Sequence, residues 1–86
     1  MTNNTISQTK SDALKHIETQ IEFAVSLIAA NRAAIKTLHN HWIDSKGQYS
    51  KKAFDEDVAE LKESITRAEG RISGLVFARE ELLALD

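Results

Sequence analysis

Apolar residues along this 86-residue chain recur in alternating steps of three and four. Leu14, Ile17, Ile21, Ala24, Ile28, Asn31, Ile35, Leu38 and Trp42 form one stripe, apolar everywhere except Asn31. After a break the rhythm resumes through Phe54, Val58, Leu61, Ile65, Ala68, Ile72, Leu75, Arg79 and Leu82, with Arg79 the exception. Steps of three and four average to the helical repeat, so each stripe marks one face of an α-helix, spaced as in a coiled coil. The predicted elements are a helix over about 11–45, a turn over about 46–50 and a second helix over about 51–84. Residues 1–10, rich in Asn, Thr, Ser and Gln, read as a disordered polar tail with little to bury.

A linker this short joins antiparallel neighbours, since a parallel pair needs a long crossover. Folding the chain back on itself sets Trp42 against Phe54, Leu38 against Val58, Ile35 against Leu61 and Asn31 against Ile65. Further from the turn, Ile28 meets Ala68, Ala24 meets Ile72, Ile21 meets Leu75, Ile17 meets Arg79 and Leu14 meets Leu82. Each seam alanine faces an isoleucine, the large-against-small alternation that fills a core without voids. The expected fold is all-α, a two-helix antiparallel hairpin forming one domain over residues 11–86.

The turn region "SKGQYS" carries its own signals. Gly47 suits a left-handed position past a helix end, and Ser50 suits an N-cap. Tyr49 before that cap and Phe54 four residues beyond it have the spacing of a hydrophobic staple. Lys51 and Lys52 run against the helix dipole in the first turn of the second helix. Arg32, Lys36, Lys46, Lys51 and Lys52 form a basic stretch, and Asp55, Glu56, Asp57, Glu60 and Glu63 an acidic one. The expected reading is mutual neutralisation across the hairpin, with a two-signed surface for a partner as the alternative.

One seam leaves apolar residues over. Phe23, Leu27, Val76, Phe77 and Leu83 lie off it, with Val25 and Leu85, toward the end away from the turn. Gly70 and Gly74 add a small-residue row to the second helix, where each glycine costs about 0.8–1 kcal/mol relative to alanine. Close approach of another backbone would offset that cost. Phe23, Leu27, Gly70, Gly74, Val76, Phe77 and Leu83 are therefore the candidate partner or oligomer interface, and the expected assembly is a homodimer completing a four-helix bundle, with a higher oligomer or a hetero-complex as alternatives. Asn31 and Arg79, polar at seam positions, each require a partner, because burying an unpaired amide or guanidinium costs several kcal/mol.

Composition narrows the chemistry. Net charge is only −2, without the basic excess of a typical nucleic-acid binder. Cysteine is absent, which removes disulfides, thiolate nucleophiles and thiolate-bound zinc. No apolar run approaches the roughly 18–20 residues of a membrane span, and the polar N-terminus has no signal-like apolar core, so the expected location is the cytoplasm. His39 and His41 point apart on a helix, and no phosphate loop or catalytic cluster is present, so no metal, cofactor or catalytic residue is expected. The function expected is a small non-catalytic module, binding itself and another protein as adaptor, regulator or inhibitor. The alternative is a nucleic-acid accessory protein using a charged tip of Lys46, Tyr49, Lys51 and Lys52; a small helical enzyme ranks third. The acidic stretch beside the tip would repel a phosphate track. Mobility-shift assays on duplex DNA and single-stranded RNA at about 150 mM salt are expected to show no binding. Submicromolar binding lost in a Lys51→Ala, Lys52→Ala variant would put the nucleic-acid reading first.

Overall fold

The computed structural model describes residues 2–85, with side chains described from Gln8 onward. It consists of two helices, α1 over Thr2–Asp44 and α2 over Lys51–Ala84, packed against each other. The chain has no proline and its three glycines all lie after α1, so nothing in α1 interrupts the hydrogen-bond ladder. The polar tail expected over residues 1–10 falls largely outside the residues whose side chains are described. The backbone is helical from Thr2, and Lys10 is already half-buried.

The molecule is a rod of 68 × 15 × 11 Å with a radius of gyration of 19.6 Å, against about 12 Å for a compact domain of this length. All eighteen seam positions are buried or half-buried. Ile17, Ala24, Ile28 and Ala68 are the most enclosed, and three of them cluster at mid-rod, where alanine and isoleucine alternate. Trp42 stacks on Phe54 near the turn, with ring centroids 5.0 Å apart and planes 15° from parallel.

Polar links hold the same register along the rod. Asn31 Nδ2 donates to Ser64 Oγ at 2.8 Å, which satisfies the polar seam residue from the flank of α2. Arg71 donates to Gln20 Oε1 at 2.5 Å, and Lys10 Nζ donates to the Leu85 carbonyl at 2.5 Å near the open end. The charge pairing expected across the hairpin does not form. Both ion pairs among the described residues lie within α2, Lys51 with Asp55 at 2.9 Å and Arg67 with Glu63 at 3.7 Å. Helical i,i+4 neighbours meet without closing a loop between helices, so acids and bases four apart pair first.

The turn reverses the chain through two consecutive left-handed residues, Lys46 at φ 53° and Gly47 at φ 91°. The Gln48 amide donates to the Ser45 carbonyl at 3.2 Å and closes a tight turn over them. Ser45 Oγ donates to the Trp42 carbonyl and accepts from the Tyr49 amide, bracing both sides. Ser50 caps α2, its Oγ accepting from the Ala53 amide at 3.1 Å. Gly47 tolerates positive φ without strain, whereas Lys46 does so at a cost of roughly 1 kcal/mol.

A Cβ added at Gly47, Gly70 or Gly74 would meet nothing within 4 Å, so within the hairpin none of them answers to close packing. Their roles then differ only through the backbone. Gly47→Ala is expected to destabilise the fold by about 1–2 kcal/mol because of its left-handed φ. Gly70→Ala, with helical φ, is expected to stabilise it by about 0.8–1 kcal/mol. Urea denaturation of the two variants against wild type checks both signs.

Candidate functional site

Two ends and two flanks of the rod present distinct chemistry. At the turn, Trp42, Phe54, Tyr49, His39 and His41 form an aromatic cluster. Tyr49 and Phe54 meet edge to face at 6.3 Å, the contact of a staple around the Ser50 cap. His39 lies 6.3 Å from Trp42 and 6.1 Å from Phe54, while His41 lies 5.1 Å from Tyr49. The two histidines thus diverge onto different aromatic neighbours. Among the described residues no three His, Cys, Asp or Glu side chains gather as a metal site.

Two carboxylates near the turn have partners of their own. Asp55 pairs with Lys51, and Asp57 accepts a hydrogen bond from the Tyr49 hydroxyl. That bond belongs to the protonated phenol, and together with partial burial and the adjacent negative charge it pushes the Tyr49 pKa up to about 12. Of the four residues expected to form a charged tip, Lys46, Lys51 and Lys52 are exposed and Tyr49 is half-buried. Lys51 is committed to Asp55, which offsets its unfavourable place in the first turn of α2.

Exposed apolar residues lie on both flanks of the seam. One flank carries Phe23 and Leu27, which border a groove with Arg67 and Arg71 of α2. The other carries Val25, bordering a groove with Arg32 and Glu69. Both grooves reach the same mid-rod level, so they lie on opposite sides of the hairpin. Phe23 is 61% exposed, Leu27 39% and Phe77 64%. Leu83 is exposed as well, and Gly70 and Gly74 face open space. Val76 is half-buried, tucked nearer the seam than its neighbours in the expected interface.

Arg79 is half-buried and borders a surface depression with Glu18, Ile21 and Glu22, an aliphatic neighbour and two acids. Sequence reasoning passed over several contributors. Ile43 is 57% exposed near the turn. Ser64 and Asp57 supply the partners of Asn31 and Tyr49. Ser64 stands one residue before Ile65, which is the signal that could have identified it as the flank group opposite Asn31.

No helix among the described residues is long and apolar enough to cross a membrane. No protein-family model, curated protein or solved structure matches the chain.

The tip chemistry has a direct optical readout, because Tyr49 is the only tyrosine. The raised pKa means the Tyr49–Asp57 bond contributes stability below the unfolded tyrosine pKa near 10, and that contribution is lost as pH rises toward 12. Ultraviolet titration is expected to place phenolate formation near 12 in the wild type, and near 10 in an Asp57→Ala variant.

Proposed function

We propose that this chain is a small non-catalytic interaction module that self-associates into a four-helix bundle and docks on a partner protein as adaptor, regulator or inhibitor in the cytoplasm. The observation that carries this reading is surface area. The single chain exposes 6619 Å², whereas a compact monomer of 9.6 kDa exposes about 5,100 Å². The surplus of about 1,500 Å² exceeds the roughly 800 Å² that each partner contributes to a standard interface. Exposed Phe23, Leu27, Phe77 and Leu83 supply its apolar content.

Energetics support the same conclusion. Ordering a residue's backbone costs about 1–2 kcal/mol, while burying a large apolar side chain returns about 1.5–3 kcal/mol. Among the described residues Ile17, Ala24, Ile28 and Ala68 are the apolar ones buried in the single hairpin, so covering its flanks would add stabilisation. A nucleic-acid role for the tip has weaker support: Lys51 already serves Asp55, which leaves Lys46 and Lys52 as its uncommitted exposed cations.

Sedimentation equilibrium at micromolar concentration is expected to give twice the 9.6 kDa chain mass or more. A monomer that keeps full helicity and a high melting temperature would overturn the assembly. For docking, a photo-crosslinking residue at Phe77 is expected to join this chain to a different polypeptide in the native host, and one at Thr19 is not. Adducts with this chain alone at both positions would leave self-association as the whole activity.

A further inference from the structure

We infer that α1 carries a second seam, and that its occupant is α1 of a second copy of this chain, running antiparallel. The inference rests on the self-association proposed above and specifies its surface. Between Ala13 and Ile43 the charged residues of α1 are Lys15, Glu18, Glu22, Arg32 and Lys36. In the repeat set by the inner seam, all five fall on the flank of Val25 and Arg32. The other flank, from Ala13 to His41, carries no Asp, Glu, Lys or Arg; its ionisable residues are His16 and His41, at its two ends.

Along that uncharged flank, Gln20, Phe23, Leu27, Ala30, Ala34 and Thr37 follow one another in steps of three and four. This is a second coiled-coil stripe on the same helix, and α2 covers it only in part: Phe23, Leu27, Ala30 and Thr37 are exposed, whereas Gln20, which accepts from Arg71, and Ala34 are half-buried. A solvated helix face is normally studded with charge, so a face cleared of it over this length fits contact with another helix. The stripe lies roughly a quarter turn from the inner seam, at about 100° per residue. One α1 would then touch α2 and a second α1 on adjacent sides, as neighbours do in a four-helix bundle.

A second copy fits because the stripe complements itself when reversed. An antiparallel two-fold axis beside Ala29 sets Phe23 opposite Ala34, Leu27 opposite Ala30 and Gln20 opposite Thr37, each pair occurring twice. Large meets small at the two central pairs, the rule the inner seam follows at Ala24 with Ile72 and Ile28 with Ala68. Gln20 Oε1 accepts from Arg71 and Thr37 Oγ1 donates to the Ala33 carbonyl, so at the ends Gln20 Nε2 would donate to Thr37 Oγ1 of the other copy. Shifting by one heptad would place Phe23 on Leu27 twice and leave Ala30 opposite Gln20, crowding bulk at the centre and thinning it outside. The surface surplus of about 1,500 Å² per chain is ample for such a contact.

The absence of native cysteine makes the geometry testable by disulfide trapping. Phe23→Cys with Ala34→Cys is expected to give a covalent dimer under mild oxidation, and Val25→Cys with Arg32→Cys, on the charged flank at the same level, is not. In parallel, Phe23→Glu is expected to raise the dimer dissociation constant roughly 30-fold or more, as loss of an interface hot spot does, with helicity retained in circular dichroism. Phe77→Glu is expected to leave that constant unchanged. A wild-type chain that sediments as a monomer would overturn both this seam and the assembly it rests on. A wild-type dimer that traps through Val25 and Arg32 instead, or survives Phe23→Glu intact, would overturn this seam alone.

Discussion

The whole structure depends on one limit: two helices share a single line of contact. Each helix can turn only one stripe toward the other, and here Ala24, Ile28 and Ala68 are its most enclosed residues at mid-rod, with Trp42 stacked on Phe54 at the turn. Everything outside the stripe stays in water unless a further molecule covers it. A rod of 68 Å built this way has almost no interior, which is why only four of the described residues are buried and why the flanks hold Phe23, Leu27, Val25 and Phe77 in the open.

Register is held by two kinds of interaction that act at different points along the rod. The apolar layers favour one alignment because slipping a helix would set large on large and small on small. Polar links then mark that alignment: Asn31 with Ser64, Gln20 with Arg71 and Lys10 with the Leu85 carbonyl. The half-buried Asn31 amide without Ser64 would carry part of an unmet desolvation cost, so this pair penalises other alignments. At the turn, Ser45 and Ser50 satisfy backbone groups at the helix ends, Gly47 takes the left-handed reversal, and the Tyr49 hydroxyl ties the loop to α2 through Asp57.

The surface divides by function in the proposed reading. Charge on α1 is confined to one flank between Ala13 and Ile43, while α2 carries acids and bases on several sides near the turn and becomes uncharged from Ile72 to Ala78. A helix cleared of charge on one side and a second helix cleared over a short collar are separate requirements. The first suits a long helix partner and the second a more local contact, so self-association and docking need not compete for the same residues.

Much of this was legible in the chain. The two stripes, their large-against-small pairing, the Ser50 cap and the Gly47 reversal follow from local periodicity and backbone preference, which act between residues close in sequence. The exposure of Phe23, Leu27, Phe77 and Leu83 follows from counting apolar residues against one seam. What the tertiary structure decided concerns groups whose partners are distant or interchangeable. Lys51 chose Asp55 on its own helix over neutralisation across the hairpin, because i,i+4 geometry is already in place when α2 forms. His39 and His41 went to aromatic neighbours, and Asp57 went to Tyr49. Asn31 found Ser64, and Val76 was drawn half under cover. Periodicity fixes which face a residue occupies, but side chains of several ångströms reach choose among neighbours only once both helices and the turn are in place.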